Sequence, residues 1–356
     1  MFRFSTKALV ASALLMASSV AMAADETPGL EVKGKLWAQY KYDLTDGSVH
    51  RNGLDIYRAY LQTSYKFDET WATTLLLDGV REATGATANH AYLMDYVRNA
   101  FVQANNIVGP HSAFRFGLQP TLYIPTIDNA AKNRWLGRSL LDEAGIFTSQ
   151  SGGISLVGDI GDPMFRYGLI IHNGTEGLAG LGNADNALAG GVMLQFSPFA
   201  AQDDDLKTLT LTVYDEIQGA GLTTVGAGLL VIPKTISTTG SNTFVVAASG
   251  QTTYVDFALE FADSSVSQTA ITQVGYGGNA NVKLIAEGRG SIYGRYFTGN
   301  DAIKTKLGAK SVLTVGPAYA FIKDKVQTAV LFETRPAILA GGVANSQILW
   351  DWAMNF

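Results

Sequence analysis

The sequence predicts an all-β fold: a transmembrane antiparallel β-barrel of about 16 strands with a constriction loop folded into the lumen. Three observations carry this expectation. Apolar and polar residues alternate in run after run. An export segment opens a chain that holds no later apolar run approaching the ~20 residues a membrane helix needs. The chain also closes on an amphipathic strand that ends in an aromatic residue.

Alternation is the primary signal. In 31–42, "EVKGKLWAQYKY", Val32, Gly34, Leu36, Ala38, Tyr40 and Tyr42 form one face. Glu31, Lys33, Lys35, Trp37, Gln39 and Lys41 form the other. Successive strand side chains point to opposite faces, so such a run has one wet and one apolar side. In 57–67, Tyr57, Ala59, Leu61, Tyr65 and Phe67 alternate with Arg58, Tyr60, Gln62, Ser64 and Lys66. Strands are expected at 31–43, 54–67, 70–79, 93–104, 112–119, 152–160, 164–172 and 188–196. The second half supplies 206–216, 223–232, 252–262, 267–276, 282–297, 308–322, 325–335 and 346–356. Breaks at 43–47, Asp68-Glu69, 161–163, Gly277-Gly278-Asn279 and Lys323-Asp324 have turn chemistry. Pro317 cannot donate to a ladder, so 308–322 is expected to bulge or split. The Thr-, Ser- and Gly-rich stretch 223–250 is the least patterned.

Residues 1–23 read as a secretory signal peptide, with Arg3 and Lys7 before an apolar run and Ala21-Met22-Ala23 as the cleavage pattern. The barrel is then expected over 24–356. The chain has 0 cysteines, which excludes a disulfide framework and thiolate metal sites. A formal net charge of −5, made more acidic by loss of Arg3 and Lys7, argues against nucleic acid as a partner. Charged residues are 16 %, well under the ~25 % of ordinary soluble domains. An exported, low-charge chain without a spanning helix enters lipid only as a closed barrel, which pairs every backbone group and leaves no edge. A soluble sandwich would alternate too, but with polar outer faces. Here the apolar face instead carries aromatics near strand ends: Tyr40, Tyr42, Tyr65, Phe67, Trp71, Phe196, Phe199, Tyr296 and Phe297. In the last run, "QILWDWAMNF", Ile348, Trp350, Trp352, Met354 and Phe356 are apolar, and Trp350, Trp352, Met354 and Phe356 are expected to face lipid.

Between Gln119 and Ser151 the alternation fails. Residues 120–151 are apolar enough to pack on something, and a short helix is expected within 129–141. Folded inward, this segment would narrow a pore; the alternatives are an extracellular lid or a partner contact. Strand parity turns Lys33, Lys35, Lys41, Arg58, Lys66, Arg115, Arg166, Lys283, Arg289 and Arg295 inward. The inward acids are Glu31, Asp256, Glu260, Glu287 and Asp351. An inward loop adds Lys132, Arg134 and Arg138, opposed by Asp128, Asp142 and Glu143. Arg58, Arg115, Lys132, Arg134 and Arg138 are the candidate constriction and anion-contact residues, because fixed cations in a narrow pore favour anions. Excess acid belongs in loops such as Asp203-Asp204-Asp205. Trp37, Tyr60, Tyr293 and Phe297, turned inward, would offer sugars a stacking track.

Hydrolysis has little support. His50, His90, His111 and His172 lie in turns or at strand ends with no nucleophile motif beside them, and no enzyme activity is expected. No cofactor or metal is expected either.

The segments "FRFGLQPTLYIPT", "RWLGRSL" and "FRYGLIIHNGTEG" resemble the porins of Gram-negative outer membranes, most of all the phosphate-selective porin group. "GLDIYRAYLQTSYKF" is similar to that group's Arg-rich early strand, with only Arg58 where two arginines are usual. The resemblance covers roughly 31–175 and the last strand. It implies a trimeric, 16-stranded barrel in the outer membrane, with small hydrophilic solutes and ions passing through it. A channel dedicated to sugars or phosphate is the alternative it leaves.

Overall fold

The computed structural model describes residues 29–45, 52–82, 92–131, 134–147, 149–160, 164–173, 188–198, 209–220, 241–266, 271–284, 289–322, 325–338 and 344–356. The strands of the first half are β1 (Leu30–Asp43), β2 (Asn52–Lys66), β3 (Trp71–Glu82), β4 (Tyr92–Asn105), β5 (Ala113–Pro120), β6 (Gln150–Asp159), β7 (Phe165–His172) and β8 (Leu188–Phe196). Those of the second half are β9 (Leu209–Ala220), β10 (Ser241–Gln251), β11 (Val255–Val266), β12 (Ile271–Lys283), β13 (Gly290–Gly299), β14 (Ser311–Ile322), β15 (Val326–Arg335) and β16 (Asn345–Asn355). Each pairs antiparallel with its sequence neighbours, and β1 pairs β16, so the sheet closes. The seam runs from Lys35 opposite Asn355 to Asp43 opposite Gln347. Beyond the strand end, Gly34 N–H donates to the Phe356 carbonyl at 2.7 Å and Phe356 N–H returns the bond at 2.9 Å.

The two faces separate as the alternation requires. On β16, Trp350 is 44 % and Met354 41 % exposed, while Asp351 between them is 1 % exposed and turned inward. Phe356 is 43 % exposed. The same outward band includes Tyr65, Trp71, Phe116, Phe165, Leu194, Leu211, Leu259, Tyr296 and Phe321. Apolar side chains this exposed around a closed, edgeless sheet fit acyl chains as their solvent.

Several boundaries differ from the sequence expectations. Gly277, Gly278 and Asn279 form no turn; they lie inside β12, which runs on to Lys283. A Cβ at Gly277 would strike the Tyr296 carbonyl and one at Gly278 would strike that of Ala258, so these glycines serve close strand approach. The strand expected at 223–232 lies outside the described residues, and β10 occupies 241–251. Pro317 does not split β14. Val315 pairs Phe332 and Ala318 pairs Ala329 in one register, with the bulge displaced to Ala320/Ile322. Phe297 faces inward and is buried, leaving the outward band to Tyr296. Phe199, Asp203-Asp204-Asp205 and the 1–23 segment lie outside the described residues.

Among the described residues, three helices accompany the barrel. Helices α1 (Tyr123–Ala131) and α2 (Leu140–Glu143) lie between β5 and β6, and α3 (Asp301–Leu307) precedes β14. α1 begins earlier than the expected helix, with Pro125 in its first turn, where a missing N–H costs nothing. α3 is capped by the Asn300 side chain, which accepts from Ile303 N–H at 3.2 Å, and it ends at Gly308 with φ 67°.

Candidate functional site: a loop latched inside the barrel

The segment between β5 and β6 lies against inward-facing wall residues. Its apolar members Leu122, Tyr123, Ile124, Ile127, Leu140, Leu141, Ile146 and Phe147 share one buried cluster with Ile170, Met193, Tyr214, Val245, Ala258 and Phe297. Those partners are the lumen faces of β7 to β13. Tyr123 stacks on Tyr214 at 5.7 Å with an interplanar angle of 15°. Farther along, Trp135 and Leu136 pack on Trp37, Tyr293, Leu331, Leu349 and Ala353, with Tyr60 beside them.

Polar latches hold the same surface. Glu260, buried on β11, accepts from the Tyr123 hydroxyl and from Leu140 N–H, each at 2.9 Å. Gln251 donates to the Ala130 carbonyl at the α1 C-terminus at 2.9 Å. Arg295 reaches from β13 to Glu333 at 2.8 Å, to the Arg138 carbonyl at 3.3 Å and to Glu143 at 3.5 Å. Arg335 clasps the other oxygen of Glu143 at 2.6 Å. Within the loop, Arg134 pairs with Asp128 at 3.2 Å and with Asp142. Burial pushes the Asp128 carboxyl up to about 7, against the pull of Arg134 and with repulsion from Asp142 adding to the rise. Burial works against the Arg134 guanidinium, but Asp128 and Asp142 hold its pKa above the ordinary arginine value. The Tyr123 phenol is pushed well up, first by burial and then by Glu260.

Opposite the loop is a basic wall. Arg58 on β2 and Arg98 on β4 share the fully buried Asp78 of β3, at 3.8 Å and 2.7 Å. Each guanidinium also lies 5.6 Å from the Tyr60 ring centroid. Arg58 donates to the Tyr60 hydroxyl at 2.5 Å, and Arg98 donates to Ser149 at the base of the loop at 2.6 Å. Among the described residues these two cations share this one carboxylate, so the group carries more positive than negative charge. Between loop and wall is a cavity of about 700 Å³, lined by Lys33, Lys35, Trp37, Tyr60, Arg98, Asn99, Asp128, Arg134 and Trp135 among others.

Of the candidate residues, Arg134 lines this cavity, and Arg58 lies outside its lining, bonded to the Tyr60 hydroxyl and close to Asp78. Arg138 is 55 % exposed and lies 4.0 Å from Asp142. Arg115 stands apart on β5, donating to Gln103 at 2.7 Å with its guanidinium over Phe101. Lys132 lies outside the described residues, as do Glu287, His50 and His90. His172 is buried in the wall 3.4 Å from Glu216, and His111 sits in a turn at φ 61°.

The alternation missed Arg98 and its partner Asp78. The register between β3 and β4 shifts at Leu76/Leu77, whose partners are Asn99 and Val97, so Arg98 is the extra residue of a bulge. The shift lets Arg98 and Asn99 both reach the lumen side. Glu216 and Glu333 were also missed as inward acids, although plain parity on β9 and β15 would have found them.

No family model matches the sequence, and no curated protein matches it. Solved structures do match. A loop-deletion form of OmpT, an outer membrane protein of Vibrio cholerae, superposes with a TM-score of 0.58 at 14 % identity, covering 93 % of this chain and all of that one. The anion-selective porin of Comamonas acidovorans gives 0.58 at 11 % identity, over 93 % of this chain and 100 % of its own. The outer membrane channel DcaP of Acinetobacter baumannii gives 0.56 at 10 % identity, over 94 % and 99 %. At such identities the likeness concerns the fold alone: this chain has the closed 16-stranded barrel fold of bacterial outer-membrane porins.

Proposed function

We propose that this chain is an outer-membrane porin: a water-filled channel, narrowed by the β5–β6 loop, through which small hydrophilic solutes and ions diffuse with a preference for anions. The observation that carries this reading is the cation set Lys33, Lys35 and Arg98 in the cavity lining beside the loop, with Arg58 joined to Arg98 through the shared Asp78. Lys33 and Lys35 extend the positive lining, with Lys33 paired to Glu31 at 2.7 Å. Within the loop Arg134 and Arg138 are offset in part by Asp142 and, above about pH 7, by Asp128. A fixed positive excess in a narrow, partly low-dielectric passage raises the local concentration of anions.

The chain is exported by its 1–23 segment and assembles as a homotrimer in the outer membrane; one structural neighbour, the in-vitro folded OmpT of Vibrio cholerae, is a trimer form. No catalytic role is assigned. The test is conductance of the purified protein in planar bilayers. A potassium chloride gradient should give a reversal potential directed by chloride, and phosphate added to the bath should reduce the current. A potential directed by potassium refutes the anion preference, and silence in the bilayer refutes the channel.

A further inference from the structure

We infer that the cavity between the loop and the β1–β4 wall is a saturable binding site for a hydroxylated organic acid of monosaccharide size, of which a uronate is the type. The inference rests on the channel reading and goes beyond it, since diffusion alone needs no site.

Three features select the ligand. The first is an available cation. Lys35 lines the cavity and, among the described residues, its side chain has no ion pair or hydrogen bond. Arg98 is a second cation in the same lining. A carboxylate between these groups gains charge-assisted hydrogen bonds.

The second feature is an unsatisfied acceptor. Asn99 is 8 % exposed and lines the same cavity, yet its Oδ1 has no partner. A buried acceptor left unpaired is unfavourable, and a simple anion cannot relieve it because it has no proton to donate. A hydroxyl can. The bulge lets Asn99 face the lumen beside Arg98, so the anion-binding and hydroxyl-binding groups are adjacent in the chain.

The third is size and surface. A cavity of about 700 Å³ falls in the range of small-molecule sites. Its remaining lining mixes Trp37, Tyr60, Trp135 and Pro125 with the amides of Gln62 and Asn129. That combination suits a ring with apolar C–H faces and several hydroxyls better than a bare inorganic ion.

The test uses single-channel current noise of the full-length protein, with glucuronate, glucose and acetate as probes. Glucuronate should block the open current saturably. Glucose lacks the carboxylate and acetate lacks the hydroxyls, so each should need at least tenfold higher concentration. Asn99→Ala should weaken glucuronate block about five- to tenfold while leaving acetate unchanged. Lys35→Met, at an exposed position, should weaken glucuronate and acetate together, and it serves as the second variant if the Asn99 change impairs assembly. Equal block by glucuronate and acetate, or an Asn99→Ala channel with unchanged glucuronate block, overturns the inference. Normal chloride conductance with no glucuronate block defeats this site alone. Absence of any conductance defeats the channel reading instead.

Discussion

Replacing Glu260 by methionine should loosen the loop without releasing it. The glutamate accepts two hydrogen bonds from the loop, from the Tyr123 hydroxyl and from Leu140 N–H. Methionine fills similar space but accepts neither. Each stranded buried donor costs about 1–3 kcal/mol, so the docked state loses roughly 2–6 kcal/mol. Ile124, Ile127, Leu140 and Leu141, all 0–1 % exposed, still contribute about 1.5–3 kcal/mol each by burial. Docking therefore survives, while the open fraction rises between about 30-fold and 10⁴-fold at 1.4 kcal/mol per decade. The readout is a thiol. The chain has 0 cysteines, and Ser139 is 2 % exposed with an unpaired hydroxyl, so Ser139→Cys is a mild change that labels only when the loop opens. Labelling of Ser139→Cys by a small charged methanethiosulfonate should speed up by that factor when Glu260→Met is added. A rate within threefold of the parent would show that these bonds do not restrain the loop.

Other perturbations probe the remaining parts. Because the Asp128 carboxyl is raised to about 7, the docked loop holds a proton that the released loop gives up near the ordinary aspartate value. Docking is then strongest at low pH and weakens as pH climbs from about 4 through about 7. The ratio of thiol labelling in Ser139→Cys to that in Ser139→Cys with Asp128→Asn should rise across this window; a flat ratio contradicts it. Arg98→Gln removes one of the two cations on Asp78, so the reversal potential should shift toward potassium, and an unshifted potential would remove Arg98 from the selectivity argument. Gly316→Ala places a methyl against the Val330 carbonyl and should destabilise the β14–β15 pair by about 1–3 kcal/mol, read as a lower temperature of heat modification on gels.

The strand ladder was readable because one rule governs nearly all of it. Wherever one face meets lipid and the other water, period-2 alternation has to appear in the residues, and 31–42 shows it without interruption. The rule fails where backbone geometry substitutes for side-chain chemistry. Gly277-Gly278-Asn279 has the composition of a turn, yet two carbonyls crowd those positions and glycine is what lets the strands pass. The terminal strand shows the opposite case. Leu349 and Ala353 look like flaws in its polar face, but they are the surface on which Trp135 and Leu136 of the loop settle. An inner wall that must hold an apolar loop has to be locally apolar, so such departures mark the loop's track around the barrel.

Charge is harder to read than polarity because its effect depends on pairing, which parity does not report. Arg115 and Arg58 look equivalent along their strands, but Arg58 shares Asp78 with a second arginine while Arg115 rests on an amide and a ring. Arg295 looks like a lumen cation, yet it is 4 % exposed and holds Glu333, Glu143 and the Arg138 carbonyl at once. Its charge is used up in anchoring the loop. The cations that shape the field are those in excess over their carboxylates, and that excess arises at Asp78, which Arg58 and Arg98 share, while the bulge in β4 lets Asn99 face the lumen beside Arg98. If β4 were regular, only one of these two neighbours could face the lumen: with Val97 outward, Arg98 would keep its inward place and Asn99 would lose it, so the hydroxyl acceptor would go while the field stayed. Deleting Asn99, which makes the strand regular with Arg98 still inward, should therefore abolish the preference for glucuronate over acetate and keep the anion preference, whereas loss of the anion preference as well would refute this reading of the bulge.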